Sequence, residues 1–218
     1  MKTTLLIPDI HEQIDVLRSL ELDIDAADRV VCLGDYFDTH GDSHATEIVY
    51  WLKERLGDPK FTWLMGNHDA HYRWWPSQHG CSGYNHHTKA TVEQNMTAAD
   101  WAYFGICTEV GPFLVSHAGF RPETYHLRDA VGLAIDAADA GVKHPLFAAG
   151  YARGGDQPYG GPLWLDFRQE YADVPDTPQI VGHTYNRHHQ IQEKGLSYCI
   201  DTGLHTVVEI VEHGDEVD

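Results

Sequence analysis

Five short motifs carry carboxylate, imidazole or amide side chains, and four of them follow a hydrophobic run. In chain order they are Asp9-x-His11, Gly34-Asp35-x-x-Asp38, Gly66-Asn67-His68-Asp69, Ser116-His117-Ala118-Gly119 and Gly182-His183-Thr184. Carboxylate oxygens, amide oxygens and imidazole nitrogens are the groups with which proteins bind divalent transition metals. The motifs therefore predict a metal site whose ligands come from five separate places in the chain.

The spacing within the motifs supports this interpretation. In an extended segment, residues i and i+2 point to one side, so Asp9 and His11 would face the same metal. Gly34 lets the backbone turn before Asp35, whose two oxygens can bridge two cations. Taken alone, Asp9 could cap a helix, and a single histidine at a loop is usually structural. Five such residues at five predicted strand ends favour a shared site, because ligands collect at the strand ends of α/β sheets.

The combination D-x-H, G-D-x-x-D, G-N-H-D, H and G-H resembles the calcineurin-like metallophosphoesterase superfamily from Asp9 to Gly203. Within it, the chain is most similar to the phosphoprotein phosphatase branch, with its small phage and bacterial serine/threonine phosphatases and diadenosine tetraphosphatase relatives. The stretches that carry this likeness are Gly34 to Asp38, Val115 to Gly119 and Cys199 to Gly203. The resemblance implies an α/β fold, with a two-sheet β-sandwich core flanked by helices in four layers.

The resemblance also implies a role for each motif residue. The expected metal ligands are Asp9 and His11 for the first metal, Asp35 as the bridge, and Asn67, His117 and His183 for the second. His68 would protonate the leaving oxygen and Asp38 would orient it. A metal-bridging hydroxide would attack phosphorus in line, because two cations lower the pKa of a shared water and clamp the phosphoryl oxygens. The expected cofactors are two divalent ions, Mn²⁺ first, with Fe or Zn as alternatives. Asp69 is assigned no catalytic role.

Two positions bear on the branch and on the substrate. Tyr185 stands where nuclease and phosphodiesterase relatives carry the second His of G-H-x-H, which favours the phosphatase branch. The segment 39–41 is Thr-His-Gly, where phosphatases carry an Arg that grips phosphate bidentately. Arg168 is the expected phosphate contact and Arg153 the alternative. Weaker substitutes are His40, His44 and Arg73.

The predicted activity is hydrolysis of a phosphate monoester on a small molecule, a nucleotide or a phosphoprotein. A phosphodiesterase acting on cyclic nucleotides or dinucleoside polyphosphates stays open, because a diester carries less charge for the missing Arg to grip. The non-enzymatic alternative is an inactive phosphatase-like binding module, although all six expected ligands and His68 are present.

The bulk composition limits the partners. The 218 residues carry a formal net charge of −18, which disfavours an extended nucleic-acid surface. Sixteen histidines agree with a metal site. The cysteines lack zinc-binding spacing, and Cys32 and Cys199 are expected to be buried thiols because they lie in apolar runs. Neither a secretory pattern nor a membrane-spanning run is evident, so we expect a cytoplasmic protein, with its oligomeric state open.

The elements that must position the motifs follow from hydrophobic periodicity and turn residues. We expect one domain over 1–218. The expected strands are 3–7, 29–33, 61–65, 106–110, 113–116, 179–181, 197–200 and 206–211. The expected helices are 11–20, 43–56, 91–104 and 122–140. The segment 70–89 is rich in His, Trp and Tyr without a clean period, and we expect it to be an irregular excursion that lines the substrate pocket. Gly150 to Gly161 is expected to be a loop.

Overall fold

A computed structural model describes residues 1–39, 41, 43–74 and 79–213. His40 and Trp75 therefore lie outside the described residues. The strands are β1 Lys2–Ile7, β2 Arg29–Cys32, β3 Phe61–Leu64, β4 Phe104–Gly105, β5 Cys107–Val110, β6 Phe113–Ser116, β7 Gln179–Val181, β8 Gln192–Lys194, β9 Ser197–Cys199 and β10 Val208–Glu212. The α-helices are α1 Ile14–Ser19, α2 Glu21–Ala26, α3 Ala45–Lys53, α4 Asn67–Trp74, α5 His86–Asn95, α6 Ala98–Trp101, α7 Pro122–Tyr125 and α8 Val131–Asp139.

These strands form two five-stranded sheets within the described ranges. The first has the order β10-β1-β2-β3-β4, in which β1 to β4 are parallel and β10 is antiparallel. The second has the order β5-β6-β7-β9-β8, in which β6, β7 and β9 are parallel and the outer strands are antiparallel. The first sheet thus has four neighbouring parallel strands and the second has three, and the carboxyl ends of such strands are the natural place for a site.

Buried hydrophobic residues fill the space between the two sheets and also cover the outer face of each sheet. Side chains alternate across a strand, so Leu6 of β1 packs between the sheets while Leu5 and Ile7 face the helices. Val115 of β6 and Ile180 of β7 meet Leu6 from the second sheet. The outer face of the second sheet is covered by Leu165, Phe167 and Tyr171. Two sheets between helical and loop layers confirm the expected fold class.

The strands agree closely with their predictions, but β4 and β8 were not expected. The helices differ more. The expected helix 11–20 is shortened to α1, which begins only at Ile14 because His11 and Glu12 have positive φ angles of 45° and 59°. The following helix, α2, was not expected. The expected helix 122–140 is interrupted by a 3₁₀ turn at Arg128–Ala130, and 91–104 holds the end of α5, then α6 and β4.

The segment 70–89, expected to be irregular, is helical at both ends. α4 runs to Trp74 and α5 begins at His86, which leaves 79–85 as the described irregular part. Tyr72 and Trp74 are buried in the hydrophobic core, and His71 is fully buried beside Asp38. Cys32 and Cys199 are buried free thiols, as expected. In the described ranges, the helices all fall short of the length and apolarity needed to cross a membrane.

Candidate metal centre

Six parallel strands, three from each sheet, end at one edge of the sandwich, and a buried polar residue follows each of them. These residues are Asp9 after β1, Asp35 after β2, Asn67 after β3, His117 after β6, His183 after β7 and Asp201 after β9. The two sheets are joined here directly, because the backbone N–H of His183 donates to both carboxylate oxygens of Asp9 at 2.8 and 3.0 Å. The fold therefore brings five distant motifs to one place.

One set of ligand atoms surrounds His117. Its Nε2 lies 3.0 Å from Asn67 Oδ1, 3.1 Å from His183 Nδ1 and 3.5 Å from Asp35 Oδ2. His117 Nδ1 donates to the carbonyl of Leu33 at 3.0 Å, so Nε2 presents its lone pair to the cluster. We call Asp35, Asn67, His117 and His183 the second ligand set.

The second ligand set fits a divalent cation. Burial lowers the pKa of His117 to about 3 and lowers the pKa of His183 well below its ordinary value. Both rings are therefore neutral near pH 7, and two imidazole nitrogens 3.1 Å apart have at most one proton to share. A cation between them would satisfy both lone pairs together with the two oxygens, and this mixed N and O donor set suits Mn, Fe and Zn.

A first ligand set consists of His11, Asp35 and His68, which each offer a ligand atom within 4.8 Å of the others. His11 Nδ1 donates to the carbonyls of Phe37 and Asp38 at 3.2 and 2.8 Å, which leaves Nε2 unprotonated, 3.7 Å from Asp35 Oδ2. Asp35 belongs to both sets, as a bridging carboxylate would.

Asp9 lies at the junction of the sheets and is outside both sets. Its Oδ1 is 4.0 Å from His117 Nδ1, and its contacts are otherwise with the N–H of His183. The expected extended Asp9-x-His11 geometry is not observed, because His11 has a positive φ of 45°. The role of Asp9 as a ligand of the first metal stays a prediction.

The site concentrates negative charge that needs a counter-ion. Burial, followed by repulsion from Asp201, raises the pKa of Asp9, and burial with repulsion from Asp9 raises the pKa of Asp35. Buried carboxylates of this kind are usually compensated by a cation. Two divalent ions would supply that compensation.

His68 of the first ligand set also forms a hydrogen-bonded pair with Asp38. His68 Nδ1 donates to Asp38 Oδ2 at 2.8 Å, Tyr72 OH donates to Oδ1, and His71 Nε2 lies 3.1 Å from Oδ2. Burial by itself would raise the pKa of Asp38, but these three neighbours outweigh it and lower the pKa, so the carboxylate stays ionised. Burial lowers the pKa of His68 to about 4, although its bond to Asp38 opposes that shift.

Asp69 holds two of the motif turns together. It is fully buried and accepts the N–H groups of Asp35, Tyr36 and Gly66 at 2.8, 2.9 and 2.8 Å. Since a buried N–H without an acceptor is costly, this carboxylate fixes the turn after β2 against the turn after β3. Asp69 thus has a structural function, and no catalytic role is needed for it.

The ligand sets open into a cleft of about 280 Å³. Its lining residues include His11, Asp35, Asp38, Asn67, His68, Cys81, Arg153, Trp164, His183, Tyr185 and Asp201, with Gly80, Ser82 and Gly83 from the segment after α4. Among the described residues of segment 70–89, those at 80–83 line this cleft, and the expected role of the segment in a substrate pocket stays a prediction. A larger cavity of about 490 Å³, lined by His79 and Lys143, contains none of the motif residues.

Among the described residues that line the cleft, Arg153 is the one with an Arg or Lys side chain. Its Nη2 contacts Asp166 Oδ2, Thr184 Oγ1 and the carbonyl of His183 at 3.0, 3.1 and 3.3 Å. Arg168 lies outside this lining, is exposed and donates to the carbonyl of Tyr185 at 3.1 Å. The weaker substitutes are also elsewhere: Arg73 is ion-paired with Asp139 at 2.8 Å, and His44 lies 3.5 Å from Glu47.

Four residues of the site were not singled out from the sequence: Glu12, His71, Tyr72 and Asp201. Asp201 follows Ile200 at the end of β9, so the strand-end rule that selected the other motifs would have found it. Glu12, His71 and Tyr72 act through contacts with Asp38, 26 to 34 residues away in the chain, and local sequence carries no signal for such contacts.

The chain belongs to the calcineurin-like phosphoesterase family, whose model matches residues 2–187. A cold-active protein-tyrosine phosphatase from a psychrophilic Shewanella superposes with a TM-score of 0.63 and 19% identity, over 94% of this chain and 72% of that one. A putative diadenosine tetraphosphatase gives 0.53 and 18%, over 96% and 93%. A serine/threonine phosphatase from Saccharomyces cerevisiae gives 0.50 and 17%, over 91% and 66%.

A comparison with curated proteins gives no significant match. The family confirms the resemblance seen in the motifs, and the similar structures confirm the fold. The family match supports an enzyme that hydrolyses phosphate esters.

Proposed function

We propose that this protein hydrolyses phosphate monoesters with two divalent metal ions, most simply Mn²⁺. The observation that supports this best is the second ligand set, in which three donor atoms lie within 3.5 Å of His117 Nε2 beside the His68–Asp38 pair. Metal donors and a candidate proton donor thus share one cleft. When bound, the two ions would lower the pKa of a water and neutralise the phosphoryl oxygens.

In this proposal, the side chains of the site bind the two ions and protonate the leaving oxygen. His117, His183 and Asn67 would hold one ion, His11 and Asp9 the other, and Asp35 both. His68 would protonate the leaving oxygen through Nε2 while Asp38 holds its Nδ1–H. Burial lowers the pKa of His68 to about 4. The negative charge of the bound phosphate would favour the imidazolium form, which would take its proton from solvent before passing it to the leaving oxygen.

We further propose that Arg153 contacts the phosphate. Its Nη2 is fixed by Asp166 and Thr184, while its Nε is buried and has no hydrogen-bond partner among the described residues. A guanidinium held in this way costs little further ordering when an oxyanion arrives. Arg168, the first expectation, stays a weaker candidate because it lies outside the cleft lining.

The substrate class is a phosphorylated small molecule, a nucleotide or a phosphoprotein. A phosphodiesterase acting on dinucleoside polyphosphates or cyclic nucleotides is the second candidate, because one of the similar structures is a putative diadenosine tetraphosphatase. Comparing p-nitrophenyl phosphate with bis-p-nitrophenyl phosphate separates the two. A tenfold preference for the diester in kcat/KM, about 1.4 kcal/mol in the transition state, would favour the second candidate.

The test of the main proposal is hydrolysis of p-nitrophenyl phosphate by protein supplied with Mn²⁺. His68→Asn should lose activity by about tenfold or more while keeping its metal, because the proposal assigns His68 to proton transfer and the metals to the other ligands. His117→Ala should instead lose metal, measured by elemental analysis. Full activity of His68→Asn would refute the acid role, and wild-type protein that binds no metal would point to the inactive binding module.

A further inference from the structure

Glu12 is a buried carboxylate that the proposed chemistry does not use. It is 2% exposed, and its φ of 59° lies in the left-handed region that non-glycine residues seldom adopt. Such a conformation is strained and persists only where surrounding contacts enforce it. The contacts of Glu12 therefore show what holds it there.

Both oxygens of Glu12 accept hydrogen bonds from the segment that begins at Asp38. Oε1 accepts the N–H of Asp38 at 3.0 Å, and Thr88 Oγ1 lies 3.5 Å from it. Oε2 accepts Ser43 Oγ–H at 2.8 Å and the N–H of His44 at 2.6 Å. One carboxylate thus contacts Asp38 through one oxygen and Ser43 and His44 through the other, and we call these three residues the rim loop.

Glu12 is not placed as a metal ligand. Its oxygens are engaged by donors of the rim loop, and it belongs to neither group of converging ligand atoms found in the described chain. Its contacts are made on the Asp38 side of the site.

Asp38 needs such a restraint. It also has a positive φ, 67°, and its carbonyl accepts from His11 Nδ1 at 2.8 Å while its N–H donates to Glu12. Both the carbonyl and the N–H of this strained residue are thus hydrogen-bonded to the turn 11–12. The Asp38 carboxylate in turn orients His68 through the 2.8 Å bond to Nδ1.

We infer that Glu12 is a positioning residue for the Asp38–His68 pair. This inference rests on the proposed function, since it assigns Glu12 to the proton-donating side of the same site. Without Glu12, Asp38 would relax from its strained conformation, and His68 would lose the orientation in which it meets the leaving oxygen.

The test uses leaving groups that differ in their need for a proton. Phenyl phosphate has a poor leaving group and needs general acid catalysis, whereas 2,4-dinitrophenyl phosphate departs as a stable anion and needs little. Glu12→Gly relieves the backbone strain but removes the anchor. We expect it to lose about tenfold or more in kcat on phenyl phosphate and less than about threefold on the dinitrophenyl ester, as His68→Asn should.

The matched control is Asp100→Asn, which alters another carboxylate that accepts a backbone N–H, at Thr97, outside the cleft lining. A general loss of stability would lower turnover of both esters equally, so this variant should leave their ratio unchanged. An equal loss on both esters in Glu12→Gly, or no loss, overturns the inference.

A second variant and a second measurement cover other outcomes. Glu12→Gln keeps the length of the side chain but offers one acceptor oxygen, and it should give a smaller loss of the same kind if Glu12→Gly fails to fold. Hydrogen exchange at the Asp38 amide should be faster in Glu12→Gln, and an unchanged rate would contradict the inference. Wild-type protein inactive on both esters would refute the proposed function alone, because the exchange measurement would still test Glu12.

Discussion

At the scale of single residues, the site contains several strained backbone positions. His11, Asp35, Asp38 and His183 have φ angles of 45°, 50°, 67° and 64°. Side chains hold at least three of them: Asp69 accepts from the N–H of Asp35, Glu12 from that of Asp38 and Asp9 from that of His183. Three buried carboxylates thus accept hydrogen bonds from backbone N–H groups and hold these strained positions of the candidate site.

The proposed role of Arg153 leads to a direct comparison of two arginines. Arg153→Lys keeps a positive charge beside Asp166, which is 4% exposed, but loses the planar fork that grips a phosphate. Losing one charged hydrogen bond of about 1.5–3 kcal/mol should reduce kcat/KM about 10–100-fold. The matched Arg168→Lys should stay within about twofold, since Arg168 lies outside the cleft lining.

Steady-state kinetics on p-nitrophenyl phosphate make this comparison, with circular dichroism to check that both variants fold. A larger loss in Arg168→Lys than in Arg153→Lys would restore the first expectation from the sequence.

The residues of the site divide into those that sequence can reveal and those that it cannot. Asp35, Asn67 and His117 were predictable because each lies within three residues of the end of a buried strand. Glu12 and His71 were not, since their importance comes from contacts with Asp38 that only the folded chain creates. The spacing rule for Asp9 and His11 failed because it assumed an extended segment, whereas His11 lies in a turn.

At the scale of elements, the turns after the strands are where the packing is tightest. A Cβ on Gly66 would lie 2.0 Å from Asp35 Oδ1 and 2.5 Å from its backbone N, and one on Gly182 would lie 2.1 Å from Asp9 Oδ2. Glycine is required at both places because a carboxylate of the site occupies the space of a side chain. The strands therefore end in turns that can admit the ligands.

Two glycine-to-alanine variants should behave in opposite ways. Gly66→Ala should displace Asp35 and weaken metal binding about 10–100-fold, as loss of a supporting contact does in other metal sites. Gly132→Ala in α8 should stabilise the fold by about 0.5–1 kcal/mol, because nothing lies within 4 Å of the added Cβ. Metal titration and urea unfolding measure the two effects. Unchanged metal affinity in Gly66→Ala would show that the turn adapts.

Elements also differed in how well sequence predicted them. The strands were clear because β1 and β2 are short apolar runs ended by turn residues. α4 was missed because it begins at Asn67, inside a metal-binding motif, and its buried residues include Asp69 and His71 rather than an apolar stripe. These polar residues are buried because they lie at the candidate site, so hydrophobic periodicity could not reveal the helix.

The N-terminal cap of the short helix α6 leads to a prediction about the stability of the fold at low pH. Asp100 accepts from Thr97 N–H and Oγ–H at 2.8 Å and lies 3.1 Å from Lys53 Nζ. Burial alone would raise the pKa of Asp100, but these bonds outweigh it and lower the pKa. Its contribution to stability is thus present above the unfolded pKa of about 3.9 and is lost as the pH falls through the folded value.

Urea unfolding of wild-type protein and Asp100→Asn at a series of pH values tests this prediction. The wild type should be more stable by a constant amount above about pH 5, and the difference should shrink below about pH 4. A difference that grows in acid would mean that the capping bonds do not favour the carboxylate.

At the scale of the whole molecule, the site lies where two sheets meet in a chain of net charge −18. Asp9 and Asp35 come from the first sheet, and His117, His183 and Asp201 from the second. The buried carboxylates on the two sides repel one another, and the pKa of Asp9 is raised by burial and then by Asp201. Without a cation, the junction between the sheets is therefore electrostatically unfavourable.

Removing the metal should accordingly lower the stability of the whole sandwich. A ligand that binds only the folded chain stabilises it by about 2.7 kcal/mol at 100 times its Kd, which for a domain of this size is roughly 5–10 °C in Tm. We expect that loss on treatment with a chelator and its recovery with Mn²⁺. NaCl at matched ionic strength should not restore it, because screening acts mainly on exposed charges. His117→Ala should show a smaller shift with Mn²⁺, since one ligand set is broken. Equal shifts in His117→Ala and wild type would place the stabilising ion elsewhere.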